Sequence, residues 1–318
     1  MKLRIAFAGF RHAHILDLYR LASERDDLEV VAACEEHAPT RDELTANAAV
    51  TVTHASCDEM WDQAQFDILA IGDYYGRRGG LAIRGLESGK HVIVDKPLCA
   101  DLGELGRIAE LSAERGLAVG CMLTMRDGGN WIALKKIIAD GRIGEVITID
   151  FQGQHPLMWG RRPEWYFQPG KHGGTINDIA IHALDTIPWM TGRQIVEVVA
   201  ARAWNARLAQ AECFQDAAQL MLKLDNGGGV LGDVSYLVPD SFAYALKLYW
   251  RYTIHGSKGM AETSAKTEGV DLWIDGAETV ERVPAAPGRK GGYLEDMLAE
   301  IRGEDLPPDA LTTEEVLA

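Results

Sequence analysis

Hydrophobic residues in the first third of the chain form short runs, and these alternate with stretches of helical apolar spacing. The short runs predict β-strands at residues 3–8, 28–34, 66–71, 91–94 and 117–122. The stretches between them predict helices at residues 13–23, 58–64, 81–87 and 102–115. Regular alternation of strand and helix is typical of a doubly wound parallel sheet.

The pattern changes after Gly128-Gly129, where longer strand-like runs follow one another with few helices between them. These runs lie at residues 146–152, 195–203, 217–224, 229–236, 246–254 and 270–274, with helices predicted at 132–140 and 173–190. The sequence therefore predicts an α/β chain of two domains. Residues 1–125 form the doubly wound parallel sheet, and residues 126–318 form an α+β domain with a large open, mainly antiparallel sheet.

One predicted helix carries ionisable residues on one face. Asp178, His182 and Asp185 stand at i, i+4 and i+7, and the opposite face is an apolar stripe. Histidine can take or give a proton near neutral pH, and a nearby carboxylate stabilises its charged form. A polar helix face exposed to water explains this spacing about equally well. An Asp-His pair could also ligate a metal, but no further ligands at a recognisable spacing accompany it, so no metal is expected.

A second candidate site follows the strand predicted at residues 91–94, which ends in Asp95-Lys96-Pro97. Proline disfavours the helical conformation for the residue before it, so Lys96 is expected to be extended at the carboxyl end of that strand. Ligands bind at that edge of open parallel sheets. An isolated lysine before proline would otherwise be an ordinary surface residue.

The first strand ends in a loop that matches a dinucleotide fingerprint in part. G-x-G-x-x-G is expected there, and Gly9 matches its first glycine, but Arg11 and His14 replace the second and third. Arg11, His12 and His14 offer positive charge to phosphate instead. Glu35 follows the second strand, where an acid can hydrogen-bond the adenosine ribose. Glu36 beside it favours NAD over NADP because it repels a 2′-phosphate; the alternative is two solvated glutamates.

These motifs together resemble one family. Asp95-Lys96-Pro97 resembles its Glu-Lys-Pro motif, and the segment from Gly173-Gly174 to Asp185 resembles its Gly-Gly-x-x-x-Asp-x-x-x-His-x-x-Asp motif. The family is the Gfo/Idh/MocA oxidoreductases, which include glucose-fructose oxidoreductase and inositol 2-dehydrogenase. The resemblance extends over nearly the whole chain, and the two motifs in this order are fairly specific for the family.

The resemblance implies a Rossmann domain that binds NAD, with NADP as the other cofactor to consider, and a dehydrogenase acting on a secondary alcohol of a sugar, inositol or related polyol. Lys96, Asp178 and His182 would be catalytic, with Lys96 positioning the reacting hydroxyl and His182 taking its proton. The implied cofactor residues are Gly9, Phe10, Arg11, His12, Glu35, Gly72, Asp73, Tyr74, Asp95, Lys96 and Pro97. The implied substrate residues are Lys96, Arg126, Trp165, Asp178 and His182.

Two other functions remain open within the same fold: an NAD-using glycosidase that oxidises its substrate only transiently, and a non-catalytic protein that senses a nucleotide or ligand. Arginines and aromatic residues near Trp165 suit a polyol or sugar acid, although a loop packed by its own aromatics is about equally consistent. The resemblance also implies a homodimer or homotetramer, and a C-terminus shorter than in relatives, which usually continue into a terminal helix.

Composition limits the partners. The formal charge of −15 disfavours nucleic acid and anionic membranes, and no apolar run reaches transmembrane length. The first hydrophobic run is too short and too early for a signal peptide. Five cysteines are scattered and never form a C-x-x-C pair, which is typical of a reducing cytoplasm.

Overall fold

The computed structural model describes residues 2–318. In it the chain forms two compact units. The first unit comprises the chain up to Leu123 together with Gly170–Gly173 and Gly291–Ala318, and the second comprises Thr124–Pro169 and Gly174–Lys290.

The first unit contains a five-stranded parallel sheet in the order β2-β1-β3-β4-β5. Its strands are β1 Leu3–Ala8, β2 Leu28–Cys34, β3 Ile68–Ile71, β4 His91–Val94 and β5 Val119–Cys121. Its helices are α1 Ile15–Ser23, α2 Ala38–Ala46, α3 Cys57–Gln63, α4 Tyr75–Glu87 and α5 Leu102–Arg115, joined by two C-terminal helices, Gly292–Arg302 and Thr313–Leu317. Strands β3 and β4 are buried along almost their whole length, as strands covered by helices on both faces are.

The second unit begins with α6 (Gly129–Ala139) and contains an eight-stranded sheet. Its strands are β6 Val146–Pro156, β7 Ile195–Trp204, β8 Ala217–Leu224, β9 Gly229–Val238, β10 Arg251–Gly256, β11 Gly259–Ser264, β12 Gly269–Ile274 and β13 Glu281–Pro284. Their order is β13-β12-β11-β10-β6-β9-β8-β7, and every pairing is antiparallel except the parallel pair β6–β9. The predicted fold class is therefore confirmed: a Rossmann-type parallel sheet and a large, mainly antiparallel sheet.

The C-terminal segment differs from the predicted division at residues 125 and 126. Residues 291–318 pack with the first unit rather than the second. Met297 lies against Gly120 of β5, and the hydroxyl of Thr313 accepts a hydrogen bond from the Val119 N–H at 3.0 Å. This return of the chain depends on tertiary contacts far apart in sequence, which local hydrophobic patterns do not report.

Helix α4 begins six residues earlier than predicted. Gly76, Gly79 and Gly80 lower helix propensity in its first turns, which is why the apolar pattern alone placed its start at residue 81. In the structure these glycines permit close packing: a Cβ atom at Gly79 would lie 2.0 Å from Oε2 of Glu104 on α5. No helix among residues 2–318 has the length and apolar character needed to cross a membrane.

Candidate active site

The loop after β1 requires glycine at its first position. Gly9 has a φ of +82°, and a Cβ atom there would lie 2.7 Å from Cβ of Asp73. The Gly9 N–H donates to the carbonyl of Cys34 at 2.9 Å, and the His12 N–H donates to the carbonyl of Gly72 at 3.1 Å. Backbone from the ends of β1, β2 and β3 therefore converges at this edge, where open parallel sheets bind their ligands.

The predicted cofactor residues all lie at this carboxyl edge of the parallel sheet. Gly9 to His12 follow β1, Glu35 follows β2, Gly72 to Tyr74 follow β3, and Asp95 to Pro97 follow β4. Parallel strands bring their carboxyl ends to one edge, so four separate sequence segments become neighbours.

Glu35 is buried and binds the loop itself. Its carboxylate accepts hydrogen bonds from the N–H of Phe10 at 2.6 Å and from the N–H of His37 at 2.7 Å. Burial raises the pKa of this carboxyl, while the two backbone donors oppose that shift. The carboxylate predicted to face the adenosine ribose thus also fixes the backbone of the glycine loop.

Glu36 has a cationic neighbour. Its carboxylate accepts a hydrogen bond from the Cys57 N–H at 2.8 Å and forms an ion pair with Arg77, which also bonds Asp73 at 2.9 Å. Burial opposes ionisation, but these donors outweigh it and lower the pKa of Glu36. The repulsion that Glu36 was expected to exert on a 2′-phosphate is therefore reduced by Arg77.

Asp95, at the end of β4, is fully buried among cationic and polar groups. Its Oδ2 accepts from Nδ1 of His12 at 2.5 Å and from the Arg78 guanidinium at 3.1 Å, and its Oδ1 lies 3.5 Å from Nδ1 of His14. Burial alone would raise the pKa of Asp95, but His12 and Arg78 outweigh it and hold that pKa well below its usual range. The aspartate is thus an ionised anchor for its neighbours.

Nitrogen atoms of His12 and His14 and an oxygen atom of Asp95 lie within 4.8 Å of one another. Two imidazoles and a carboxylate at this spacing could hold a metal ion. The contacts favour a hydrogen-bonded network without a metal instead. The 2.5 Å separation of His12 from Asp95 is a hydrogen-bond distance, and Arg78 already compensates the carboxylate charge. We therefore describe the cluster as a His-Asp-Arg network.

The buried imidazole of His12 makes stability depend on pH. Burial is the main cause that lowers the pKa of His12 from 6.5 to about 4, against the opposing effect of Asp95. Because the pKa of His12 is lower in the folded state, the unfolded state takes up a proton first as the pH falls. The stability contributed by neutral His12 is therefore complete above pH 6.5 and is lost as the pH falls towards 4. The variant His12→Asn keeps a neutral hydrogen-bond donor but cannot titrate. Between pH 7 and 4 its free energy of unfolding should therefore fall by about 3 kcal/mol less than that of the wild type. Urea unfolding at several pH values measures the difference, and parallel losses in both proteins would contradict it.

Lys96 is held in the turn that follows β4. Its peptide bond to Pro97 is cis, its side chain is nearly buried, and Nζ lies 5.7 Å from the ring centroid of Tyr75. The Tyr75 ring also contacts His172, with centroids 5.5 Å apart. The predicted catalytic lysine is therefore fixed by packing and is not an ordinary surface lysine.

In the second unit, the predicted helix at residues 173–190 begins with an irregular turn. A π-helical turn spans Ile176–Ala180, and a regular helix, α7, spans Ile181–Thr191. Such turns widen the backbone spiral and are frequent at functional sites. Asp178 and His182 are both buried, so the polar face is not simply solvated.

Asp178 is bonded to a residue of the large sheet. Its Oδ2 accepts a hydrogen bond from the hydroxyl of Tyr236 on β9, and the guanidinium of Arg162 lies 5.0 Å from the centroid of the Tyr236 ring. Burial chiefly, with the charge of Asp178, raises the pKa of the Tyr236 phenol well above its ordinary value. Tyr236 therefore remains a neutral donor that orients the Asp178 carboxylate.

The imidazole of His182 packs against Trp250, with ring centroids 4.7 Å apart in an edge-on arrangement. Trp250 has a φ of +52°, a conformation unusual for a bulky residue, immediately before β10. One turn beyond His182, the hydroxyl of Thr186 donates to the His182 carbonyl and bonds the Tyr252 hydroxyl, both at 2.8 Å. The sheet thus supports the helix at the position of the histidine.

Asp185, the last residue of the motif, pairs with the predicted substrate residue Arg126. Nε and Nη2 of Arg126 lie 2.9 and 2.6 Å from Oδ1 of Asp185, and both side chains are almost fully buried. This ion pair links α7 to the 3₁₀ turn at Thr124–Asp127. The two charges are already engaged with each other, so the pair fixes α7 against this turn.

The aromatic segment packs partly on itself. The rings of Trp165 and Tyr166 are buried with centroids 4.2 Å apart, and the Arg162 guanidinium lies 4.7 Å from the Tyr166 centroid. Arg162 also donates to the carbonyls of Pro156 and Leu157 at 2.9 and 3.0 Å. Trp165, predicted to bind substrate, is therefore part of a packed aromatic cluster.

Several residues of these networks were not predicted from the sequence, among them Arg78, Tyr236 and Trp250. Arg78 lies among glycines in a stretch with little apolar periodicity, and no pattern marked it. Tyr236 and Trp250 fall within predicted strands, where an aromatic residue is ordinary. A buried hydroxyl needs a partner, and that requirement alone could have drawn attention to Tyr236.

Comparison with known proteins assigns both units to one family. Residues 3–122 match the model of an oxidoreductase family with an NAD-binding Rossmann fold, and residues 131–262 match the GFO/IDH/MocA C-terminal domain. Inositol 2-dehydrogenase 1 of Paenarthrobacter aurescens is 25% identical over 250 residues, which cover 76% of this chain and 69% of that protein.

Solved structures share the fold. The WlbA dehydrogenase from Bordetella pertussis, solved in complex with NADH and UDP-GlcNAcA, is similar at a TM-score of 0.80 and 20% identity, over 100% of this chain and 92% of that one. The myo-inositol 2-dehydrogenase from Lactobacillus plantarum is similar at a TM-score of 0.75 and 19% identity, over 100% and 94% of the two chains. With family models matched in both units, the chain belongs to the Gfo/Idh/MocA oxidoreductases, with an NAD-binding Rossmann domain followed by the family's C-terminal domain.

Proposed function

We propose that this protein is an NAD-dependent dehydrogenase that oxidises a secondary alcohol of a sugar, inositol or related polyol. The observation that carries the proposal is the buried pair Asp178 and His182 on one helix, with Asp178 oriented by Tyr236. A buried imidazole four residues along the helix from a fixed carboxylate suits a general base. A protein that only senses a ligand has no need of it.

The residues at the parallel-sheet edge fit a dinucleotide. Gly9 permits the tight turn after β1, because a Cβ atom there would clash with Asp73, and Glu35 braces the following backbone. NAD is favoured over NADP because Glu36 adds negative charge, although Arg77 moderates it. When bound, the nicotinamide supplies the hydride acceptor, and the protein supplies orientation and electrostatics.

The catalytic roles follow from the contacts of each side chain. Lys96 is held against Tyr75 and would orient the reacting hydroxyl, its ammonium stabilising negative charge that develops on that oxygen. His182 would take the hydroxyl proton. Asp178, oriented by Tyr236, would bind substrate hydroxyls and tune His182, while Asp185 is engaged by Arg126.

The polyol class is supported by chemistry and by relatives. Rings of Tyr244, Tyr249 and Trp250 surround His155 at centroid distances of 5.1 to 5.6 Å, and aromatic faces stack well on the C–H faces of sugars. Relatives at this level of similarity include proteins named inositol 2-dehydrogenase.

The five cysteines are all free thiols, which supports a location in the reducing cytoplasm.

Titration of the purified protein with NADH and NADPH tests the cofactor part of the proposal, with energy transfer from its eight tryptophans as the signal. Binding of NADH in preference to NADPH is expected, followed by NAD⁺ reduction with one member of a panel of inositols, aldoses and sugar acids. Absence of binding by either nucleotide would contradict the proposal, because it would mean that Arg11 and His14 have closed the dinucleotide loop.

We further propose that the protein is a homodimer or homotetramer that associates through the outer face of the large sheet. Two apolar side chains that face each other across β8 and β9 are unusually exposed there: Leu231 is 52% and Met221 is 48% exposed. They surround a shallow depression together with Arg202 and Asp233. A contiguous apolar patch on a sheet face is typical of a subunit interface.

Introducing negative charge on this face should dissociate the oligomer. We expect Leu231→Glu combined with Met221→Glu to yield monomers, because two buried carboxylates without partners cost several kcal/mol per interface. Sedimentation velocity measures the change in mass. Leu102→Glu is the matched control, since Leu102 is 85% exposed in the first unit. An unchanged mass in the double variant would place the interface elsewhere.

A further inference from the structure

Arg78 is a fully buried arginine of α4 whose guanidinium is used entirely inside the first unit. Its Nε donates to the carbonyl of Asp73 at 2.7 Å, and its Nη2 donates to Oδ2 of Asp95 at 3.1 Å. The plane of the group lies over the Tyr75 ring, 4.5 Å from the centroid. Burying an arginine costs free energy unless every donor is engaged. A buried arginine therefore indicates that a particular group of acceptors nearby needs its hydrogen bonds.

These acceptors belong mainly to the turn that carries Lys96. Nη1 of Arg78 donates to the carbonyl of Asp95 at 2.6 Å and to the carbonyl of Lys96 at 2.5 Å, and lies 3.3 Å from the carbonyl of Pro97. These three successive carbonyls converge on one nitrogen, and Pro97 has no N–H to support the turn. Arg78 therefore fixes the backbone on both sides of the Lys96 Cα.

The side chain of Lys96 is aligned through the same group. Its Nζ and the Arg78 guanidinium both lie against the ring of Tyr75, at 5.7 and 4.5 Å from the centroid. His12 adds a second donor to Asp95 from the loop after β1. The backbone of the turn, the Asp95 carboxylate and the Tyr75 ring thus all contact the buried guanidinium of Arg78.

We propose that Arg78 is the positioning residue of Lys96: it holds the Asp95-Lys96-Pro97 turn, and through Tyr75 the lysine side chain, in the geometry that catalysis requires. The inference rests on the proposed function, because it assigns Arg78 a role in turnover through Lys96. Only arginine suits this position, since its planar fork reaches the Asp73 carbonyl, the turn and the Asp95 carboxylate at once, whereas a lysine offers a single nitrogen.

The test compares Arg78→Lys and Arg78→Ala with wild type, using whichever polyol the wild-type enzyme oxidises. We expect kcat to fall about tenfold in Arg78→Lys and about thirtyfold in Arg78→Ala, with a smaller change in KM, because misplacement of a catalytic group by about 1 Å has effects of this size. Millimolar, non-denaturing guanidinium should restore part of the kcat of Arg78→Ala, and urea, its neutral analogue, should not.

Arg84→Lys is the matched control. Arg84 lies on the same helix with its side chain 40% exposed; it pairs with Asp58 at 2.6 Å and stacks on Trp61 at 4.1 Å. Its variant should keep wild-type kcat, with or without guanidinium. Melting temperatures of all variants show whether each is folded, and Arg78→Lys carries the test if Arg78→Ala does not fold.

The outcomes separate this inference from the proposed function. The role of Arg78 would be overturned if a folded Arg78→Lys kept wild-type kcat while Lys96→Ala was inactive. It would also be overturned if guanidinium failed to rescue a folded Arg78→Ala. Full activity in Lys96→Ala would instead overturn the proposed function, whatever the Arg78 variants did. Loss of kcat in both Arg78 variants, with rescue by guanidinium alone, supports the inference.

Discussion

Replacing His182 by alanine is expected to lower turnover by about two orders of magnitude or more, the usual contribution of a general base. The imidazole is buried on α7, packed edge-on against Trp250 and one helical turn from Asp178. Alanine removes the proton acceptor and leaves the helix intact. The loss should appear in kcat, with little change in the affinity for NADH, because His182 is not among the residues predicted to bind the cofactor. Steady-state kinetics and NADH titration measure the two effects separately.

A second histidine provides the control for this experiment. His255 lies on β10 and is exposed, so His255→Ala should retain the wild-type rate. A His182→Ala enzyme with a rate near wild type would remove His182 from the mechanism. A loss of folding would show in the melting temperature and would call for His182→Gln, which is similar in size but cannot act as a base.

Lys96→Ala is expected to cause a loss of similar size, for a different reason. The ammonium group would stabilise negative charge on the substrate oxygen, and such contributions amount to two to three orders of magnitude in kcat. Arginine at this position keeps the charge but replaces the compact ammonium held against Tyr75 by a larger planar group, so Lys96→Arg should also be strongly impaired. Turnover of both variants with the best polyol measures the effect.

Lys90 is the matched control for Lys96, since it immediately precedes β4 and Lys96 follows the other end of that strand. Its ammonium lies 5.2 Å from the ring centroid of Phe66, away from the carboxyl edge of the sheet. Lys90→Ala should turn over substrate at the wild-type rate. If Lys96→Ala did the same, the assignment of Lys96 as a catalytic residue would fail.

The sequence was sufficient for the fold class because strands β1, β2 and β4 are mainly apolar runs whose limits agree with the structure. It was insufficient where local propensity and tertiary context disagree. Helix α2 buries little apart from Leu44, so it has no apolar stripe to detect. The glycines of α4 argue against a helix locally, yet the close approach of α5 at Gly79 requires them.

The candidate site was predictable to the level of motifs but not of contacts. The spacing of Asp178 and His182 on one face predicted that they share a helix, and the structure adds that the helix opens with a π-turn. The partners of both sites are remote in sequence: Tyr236 is 58 residues from Asp178, and Arg78 is 17 residues from Asp95. Such pairings depend on strand order and helix packing, which periodicity does not encode.

The most direct test of the account is to follow the hydride itself. The purified enzyme is incubated with NAD⁺ and a polyol deuterated at its carbinol carbon, and the nicotinamide and the sugar are analysed by mass spectrometry. We expect NADH that carries one deuterium, together with the ketone of the polyol. Nicotinamide that stays oxidised would contradict it, whether the sugar is unchanged or is cleaved after only transient oxidation.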